Sequence, residues 1–374
     1  MRAFRQNKDI QVLRALAIIF TVLCHQVELV RWKGAWTSLY PKVDFWGGVD
    51  LFFCISGFVI AGSLLRQKRL GSFREFAVPF YIRRIFRIWP AALLWLFIPI
   101  FAAWFLGASA FGKYESVLAD GVAAAFQVAN FYFMLCTGAC GKEAIYWSLS
   151  LEEQFYLIFP FLLFFMPRRY LRYLLMFLIV LQFPFHRPVE SALWYLRTDA
   201  ICYGILIAMA HPEGLIKRHV FGAIRDRRFA TALGCMLILA VAVISITPAL
   251  WINAGLLAAA SACLVWLASY DADLILPWRS VRPFLLWVGS RSYAIYLVHE
   301  PCFWAVRELC HRSRFYPGAH PSEGFVLVFT AAALVLVAVA SELTFRLVET
   351  PLRLLGSHLA SQFRGRISAR SSLA

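Results

Sequence analysis

Residues Ile10 to Val27 read IQVLRALAIIFTVLCHQV, and this apolar run decides the fold of the chain. At 1.5 Å of rise per residue its length matches the hydrocarbon core of a bilayer, which needs roughly 20 helical residues. The run nevertheless contains Arg14 in its first third and His25 near its far end. Eleven positions at about 100° each place the two side chains on one helix face, about 16 Å apart. Because an uncompensated charge at membrane depth is costly, this face is expected to point into protein or a wet cavity. Taken alone, the two residues are explained equally well by another interpretation, in which Arg14 extends to the cytoplasmic headgroups and His25 packs at the membrane interface.

The composition of the whole chain agrees with a membrane protein. Of its 374 residues, 61% are hydrophobic and 16% are charged, whereas a soluble domain carries about a quarter charged residues. The formal net charge of +16 lies mainly in short segments between apolar runs, as the positive-inside rule requires. We therefore expect the partner to be a lipid bilayer and no nucleic acid. The N-terminal residues MRAFRQNK resemble the start of a signal peptide, but no small-residue cleavage site follows, so a retained helix is expected.

The distribution of basic residues predicts which apolar runs cross the membrane. Apolar runs lie at about 10–28, 46–65, 88–107, 118–135, 149–166, 172–186, 195–210, 230–247, 252–270, 284–305 and 324–347. If all of them crossed, the basic segments 168–172 and 211–228 and the tail from Arg353 would lie outside, against the positive-inside rule. Excluding 118–135, which polar residues interrupt, removes the conflict. The sequence therefore predicts an all-α polytopic bundle of about ten transmembrane helices with both termini cytoplasmic, and a re-entrant or extracytoplasmic 118–135.

Within this topology, ionisable side chains gather at the outer ends of several helices. They are His25, Asp50, Glu152, Glu153, Arg197, Asp199 and His299. Carboxylates and histidines at one depth are suited to proton transfer to or from a polar substrate. Ser292, Tyr296 and His299 also form one stripe along a predicted helix. The alternative for this stripe is a set of core tyrosines and a packed histidine.

A second cluster, at the inner face, is cationic. Arg83, Arg84 and Arg87 occupy one helical side just before Pro90. Positive-inside anchoring accounts for many charges in this segment, which we expect to be a cytoplasmic loop over 66–90. Spacings of three and four residues also make a guanidinium fork that suits a polyphosphate.

The cysteines give no indication of a metal. There are nine, and most lie inside apolar runs, where they are small hydrophobic residues. Cys136 and Cys140 lie in a segment expected outside, where their spacing allows a short disulfide. Neither a metal-ligand spacing nor a nucleotide-binding glycine motif is present, so no metal is expected.

Seven motifs stand in the order of one known family. They are LRALAIIFTVLCH (13–25), GGVDLFFCISGFVIAGSLL (47–65), FYIRRIFRIWPA (80–91), WSLSLEEQFYLIFP (147–160), RTDAICYGILIA (197–208), GSRSYAIYLVHEP (289–301) and FRLVETPLR (345–353). Through them the chain resembles membrane acyltransferase family 3, polytopic proteins that O-acylate extracytoplasmic glycans and some small molecules. The likeness covers nearly the whole chain, so residues 1–352 are expected to form the acyltransferase domain and 353–374 a basic cytoplasmic tail. Cys54 stands where the family usually has an aliphatic residue.

The resemblance implies an acyl-CoA donor, usually acetyl-CoA, that enters from the cytoplasm, and a hydroxyl acceptor on the other side. It places the catalytic histidine at His25, with Arg14 as its partner on the same helix. We expect six residues to bind the donor: Arg14, Arg83, Arg84, Arg87, Ser292 and Tyr296. We expect four to bind the acceptor: Trp147, Arg197, Asp199 and His299. Some family members carry an additional periplasmic serine-hydrolase-like domain; this chain ends in its basic tail, so such a partner would be separate or unnecessary.

The expected reaction is transfer of an acetyl group to a hydroxyl of an extracytoplasmic polysaccharide or glycolipid, such as an exopolysaccharide or O-antigen, at the bacterial inner membrane. His25 would act as general base, oriented by Asp50, Glu152 or Glu153. A covalent acyl-enzyme relay is the mechanistic alternative. A transporter that moves an acyl group or glycan precursor is the alternative function, although the inverted repeat and broken helix pair typical of transporters are not detected. A structural envelope subunit would leave the intramembrane charges unexplained.

Overall fold

The computed structural model describes residues 7–29, 45–67, 71–107, 109–136, 140–141, 143–189, 191–210, 226–247, 251–313 and 322–371. Apart from one isolated bridge between Ser109 and Gly112, their regular structure is helical. The helices are α1 (Lys8–Cys24), a 3₁₀ turn (His25–Glu28), α2 (Gly48–Leu65), α3 (Phe73–Leu106), α4 (Tyr114–Ala125), α5 (Ala129–Leu135), α6 (Tyr146–Phe165), α7 (Arg168–Gln182), α8 (Asp199–Ala210), α9 (Arg227–Ser245), α10 (Asn253–Ala268), α11 (Arg282–Ser290), α12 (Ser292–Arg312), α13 (Glu323–Thr344), a π turn (Phe345–Glu349) and α14 (Thr350–Ser371).

Six helical stretches among the described residues are long and apolar enough to cross a membrane. They are Lys8–Glu28, Gly48–Leu65, Phe73–Leu106, Tyr146–Phe165, Arg227–Ser245 and Glu323–Arg366. Each overlaps one of the predicted spans, so the chain is a multi-pass membrane protein that is helical in the part that the structure describes. Two further helices, α8 and α10, are apolar but shorter. The total of ten spans and the side of each terminus stay predictions.

Two predicted runs are interrupted. Run 118–135 is divided between α4 and α5 near Gln127, whose φ of 58° lies in the left-handed region. Cys136, directly after α5, forms a disulfide with Cys140. The run 284–305, predicted as one helix, is likewise divided: α11 ends at Ser290 and α12 begins at Ser292.

The chain divides into two compact units. The first consists of the described residues up to 24, those of 45–66 and those of 169–292, which include α1, α2 and α7 to α11. In this unit α2 and α8 approach so closely that a Cβ at Gly57 would lie 2.3 Å from the carbonyl oxygen of Ile201, and one at Gly204 would lie 2.0 Å from that of Cys54. Glycine is therefore required at the crossing.

The second unit consists of the described residues of 25–38, 67–168 and 293–374, and its longest helix is α3. A capping box between Ser72 and Glu75 starts this helix of 34 residues, which contains three prolines. From Phe73 onward the segment 66–90 is therefore helical, and Arg83, Arg84 and Arg87 lie on α3, in agreement with their predicted helical spacing. The cytoplasmic side of this segment stays a prediction. Helix α14 packs against α3 in the same unit, with Gly356 next to Phe86. The expected tail boundary at residue 353 thus falls within a helix.

Candidate active site

The second unit brings two predicted histidines together. Helix α1 ends at Cys24, and His25 opens the 3₁₀ turn that follows it. Nδ1 of His25 lies 2.8 Å from Nε2 of His299 on α12. The two ring planes are nearly parallel, at 7°, and the ring centres are 5.1 Å apart, so the rings meet edge to edge through these two nitrogens. Oε1 of Glu300 lies 3.5 Å from the same Nδ1 of His25. We call these three residues the histidine cluster.

The members of the histidine cluster differ in accessibility. His299 is fully buried and Glu300 is 5% exposed, whereas 28% of the His25 side chain is exposed. His25 is therefore the member that a reacting group in a cavity or in solvent can reach. His299 and Glu300 contact His25 from the protein interior.

The backbone of α12 fixes the buried ring. Nδ1 of His299 lies 2.8 Å from the carbonyl oxygen of Tyr296 and 3.1 Å from that of Ile295. A second contact joins the 3₁₀ turn to α12, since Arg307 donates to the backbone oxygen of Glu28 at 2.8 Å and lies 3.6 Å from its carboxylate. The turn that carries His25 is thus attached to α12 at two places.

Tyrosines and a serine connect α12 to its neighbours in this unit. The hydroxyl of Tyr296 lies 2.7 Å from Ser148 Oγ and donates to the carbonyl oxygen of Ile145 at 2.7 Å. Tyr293 donates to the carbonyl oxygen of Ile88 on α3 at 2.7 Å. Trp147 is buried beside these residues in sequence. Tyr296, predicted to bind the donor, therefore also holds α6 and α12 together.

The two predicted acids of α6 face other partners than the histidine cluster. Glu152 accepts a hydrogen bond from Tyr156, and Glu153 accepts one from Trp89 Nε1 at 3.2 Å. The Arg84 guanidinium lies 5.4 Å from the centre of the Tyr156 ring. Glu152 and Glu153 thus belong to a network between α3 and α6, and the carboxylate that the structure places next to His25 is Glu300.

The other predicted acid belongs to the first unit. Asp50 forms a salt bridge of 3.2 Å with Arg197, and both side chains are fully buried. The Arg197 guanidinium lies 3.7 Å from the ring centre of Trp194 and 5.0 Å from that of Trp46. Such enclosure fits the rule that a buried charge is paired.

A second pair completes this buried charge network. Arg187 donates to both carboxylate oxygens of Asp199, at 3.0 and 2.7 Å, and both side chains are buried. Asp199, predicted to bind the acceptor, is thus held by a residue that the sequence did not single out. Asp50 and Asp199, in the first turns of α2 and α8, thus find their partners, and a role of Asp50, Arg197 or Asp199 toward a substrate stays a prediction.

The first unit also joins two residues expected to bind the donor. Arg14 Nε donates to Ser292 Oγ at 3.1 Å, and Ser292 is fully buried. Both were predicted to serve the same ligand from helices far apart in sequence. Their donor role stays a prediction, as does that of Arg83, Arg84 and Arg87.

Comparison with known proteins adds the family. The model of the acyltransferase domain matches residues 7–343. The chain belongs to this acyltransferase family. It is 27% identical to the peptidoglycan O-acetyltransferase OatA of Listeria monocytogenes, over 92% of this chain and 55% of that protein. It is 26% identical to the O-acetyltransferase OatA of Staphylococcus aureus, over 91% of this chain and 56% of that protein. The chain therefore spans about half the length of these curated relatives, and no solved structure matches it.

In this member of the family, the histidine cluster also raises the question of a metal. Among the described residues, the ligand atoms of His25, His299 and Glu300 lie within 4.8 Å of one another. Two nitrogens bound to one tetrahedral zinc, at about 2.0–2.1 Å each, would stand about 3.3 Å apart. The observed 2.8 Å between the two ring nitrogens is instead the length of a hydrogen bond. The geometry therefore favours a hydrogen-bonded pair.

The residues that sequence reasoning missed each have a visible signal. Glu300 directly follows His299 inside the family motif at 289–301, but the motif by itself indicates no role for it. Ser148 stands in the motif at 147–160. Arg187 lies at the end of an apolar run, where it reads as an interfacial anchor. None of these pairings is apparent without the packing of the helices.

Proposed function

We propose that the chain is an integral membrane O-acyltransferase that transfers an acetyl group from acetyl-CoA to a hydroxyl of an extracytoplasmic polysaccharide or glycolipid. The observation that carries this proposal is the histidine cluster, in which the partly exposed His25 is hydrogen-bonded to the buried His299. Membership of the acyltransferase family supports acyl transfer. The names of the two relatives, both O-acetyltransferases and one for peptidoglycan, support acetyl as the group and a glycan as the acceptor.

The proposed step uses His25 as general base. Its imidazole takes the proton of the acceptor hydroxyl while the oxygen attacks the thioester carbonyl. The new C–O bond forms and the C–S bond breaks, and the leaving thiolate of CoA receives the proton from the imidazolium. The ester product and free CoA thus balance the reaction. An acyl-enzyme relay would instead accumulate labelled acetyl protein when the acceptor is withheld.

The arginines of α3 are proposed to bind the phosphates of CoA at the cytoplasmic side of a bacterial inner membrane. Arg83 and Arg87 are half-buried and one turn apart. Arg353 and Arg364 of α14 are near enough to Arg87 and Arg83, respectively, for their charges to repel. A cluster of like charges is unfavourable by itself, and an anion relieves it, because guanidinium groups bind phosphate oxygens in a fork.

The decisive experiment measures CoA release by the purified full-length chain in nanodiscs, with acetyl-CoA and a soluble glycan acceptor. Release that depends on the acceptor is expected, and His25→Ala should reduce the rate by about 10²- to 10⁴-fold, as for a lost general base. His358→Ala, at an exposed histidine of α14, is the control and should keep the wild-type rate. A transporter would move the substrate without releasing CoA. Mass spectrometry of peptidoglycan fragments and exopolysaccharide then identifies the acceptor class.

A further inference from the structure

The hydrogen bonds of His299 decide where its proton lies. Its Nδ1 faces two backbone carbonyl oxygens, of Tyr296 at 2.8 Å and of Ile295 at 3.1 Å. Carbonyl oxygens only accept hydrogen bonds, so Nδ1 carries a hydrogen. The ring is fully buried, and burial favours the neutral form, which has one N–H. Nε2 of His299 therefore carries a lone pair.

The lone pair on Nε2 of His299 in turn determines which nitrogen of His25 carries the proton. Its Nδ1 lies 2.8 Å from Nε2 of His299. Two unprotonated nitrogens cannot form a hydrogen bond, because neither has a hydrogen to donate. The proton between them must therefore belong to Nδ1 of His25. The neutral imidazole of His25 then has no hydrogen on Nε2, which is the nitrogen left to accept a proton from a substrate. The hydrogen-bond network thus assigns the Nδ1–H tautomer to both His25 and His299.

We propose that His299 is a positioning residue that holds His25 in the tautomer whose Nε2 accepts the proton of the acceptor hydroxyl, and that Glu300 balances the charge of the resulting imidazolium. This inference deepens the proposed function and rests on it. Under this proposal His299 contacts neither the donor nor the acceptor, whereas the sequence predicted that it binds the acceptor. A hydrogen-bonded partner that fixes a histidine tautomer is the arrangement found in catalytic triads, where a wrong tautomer lowers kcat by about 10⁴.

Glu300 is the carboxylate placed for the second part of the proposal. Its Oε1 lies 3.5 Å from Nδ1 of His25, and its side chain is 7% exposed. When Nε2 of His25 takes a proton, the ring becomes a cation while Nδ1 keeps its bond to His299. Glu28, on the same 3₁₀ turn, faces Arg307 at 3.6 Å, which offsets its charge. Glu300 is thus the acid nearest the new cation among the contacts that the structure describes.

The test compares two polar replacements of His299 in the full-length chain, by CoA release in nanodiscs. In His299→Gln the amide oxygen stands near the position of Nε2 and accepts the hydrogen bond from His25. In His299→Asn the shorter side chain reaches only the position of Nδ1. We expect His299→Gln to keep kcat within about 10-fold of wild type and His299→Asn to lose about 10²-fold or more. The KM for acetyl-CoA should not change in either.

Two further measurements keep the outcome clear. Size-exclusion profiles and thermal unfolding of both variants are expected to match those of the wild-type chain. If either variant does not fold, ¹⁵N NMR of labelled histidines in the wild-type chain provides the test. That spectrum should show His25 protonated at Nδ1, and protonation at Nε2 would overturn the proposal. Equal kcat values for the folded Gln and Asn variants would also overturn it. So would metal analysis that finds one equivalent of zinc in the wild-type chain and none in either variant. If His25→Ala keeps its activity, the proposed function itself fails; if it does not and the Gln and Asn variants are alike, only this inference fails.

Discussion

At the scale of one residue, the role proposed for Glu300 depends on its neighbour His25. Its position next to the His25 ring, largely out of water, gives its charge more effect than an exposed acid would have. We expect Glu300→Gln to lower kcat about 10-fold while the KM values for donor and acceptor stay unchanged, because the substitution removes charge and keeps size. Steady-state CoA release measures this effect.

The matched control for Glu300 is Glu308→Gln, a buried acid on the same helix that pairs with Arg312. It should leave kcat unchanged. Equal losses in the two variants would show that the effect comes from the stability of α12 and not from the charge beside His25.

Arg197 provides a second prediction at this scale. It is fully buried, paired with Asp50 and stacked on Trp194. Arg197→Met should lower the free energy of unfolding by about 3–5 kcal/mol, because an uncompensated carboxylate is left in the interior. Thermal unfolding in detergent, followed by tryptophan fluorescence, checks this expectation.

The double variant Arg197→Met/Asp50→Leu separates the ion pair from packing. Removing both charges should recover much of the lost stability, since a buried pair replaced by apolar residues is often neutral. Stability as low as that of the single variant would mean that contacts of Arg197 with the tryptophans dominate. Arg346, in an exposed pair with Glu342, is the control, and Arg346→Met should change little.

At the scale of an element, the crossing of α2 and α8 depends on two glycines. A Cβ at Gly204 would lie 2.0 Å from the carbonyl oxygen of Cys54, which belongs to the backbone and has no room to move. Gly204→Ala should therefore destabilise the first unit by about 1–3 kcal/mol, the usual range for overpacking. Gly324→Ala on α13, where no atom lies within 4 Å of the new Cβ, should not. Thermal unfolding of the two variants is the measurement, and equal midpoints would contradict the close crossing.

Helix α3 connects an arginine-bearing segment to a membrane span without a break. The capping box at Ser72 starts it ahead of the apolar run, so Arg83 and Arg87 have fixed positions. Arg83→Gln/Arg87→Gln should raise the KM for acetyl-CoA about 10-fold or more and leave kcat largely unchanged, because phosphate contacts stay the same during the reaction. Arg168→Gln/Arg169→Gln on α7, at two exposed arginines, is the control. A fall in kcat with constant KM would contradict donor binding by α3.

At the scale of the whole molecule, the open question is topology. The ten-span prediction places Lys113 outside and Arg168 inside, and both side chains are exposed in the structure. In spheroplasts, a membrane-impermeant maleimide should label Lys113→Cys above the parental background and reach Arg168→Cys only after permeabilisation. Labelling of both from one side would reject the predicted order of spans. The Cys136–Cys140 disulfide agrees with an oxidising exterior for the same segment.

The sequence alone determined the class of this protein. A composition with 61% hydrophobic residues, runs of bilayer length and basic segments between them are properties of local stretches, and they read directly as a multi-pass helical membrane protein. The order of the motifs gave the acyltransferase family in the same way. The sequence also points to His25, because ionisable residues inside a membrane span are rare and usually functional.

Only the tertiary structure decided which groups meet. His25 and His299 are separated by 274 residues, and Asp50 and Arg197 by more than a hundred, so no local pattern encodes their contacts. Depth in the membrane grouped seven ionisable residues as one outer cluster, yet packing assigned Asp50 to Arg197 and Glu153 to Trp89, and placed Glu300 beside His25. The physical reason is that hydropathy fixes the depth at which a residue lies in the membrane, whereas the rotation and close packing of helices fix which side chains come into contact.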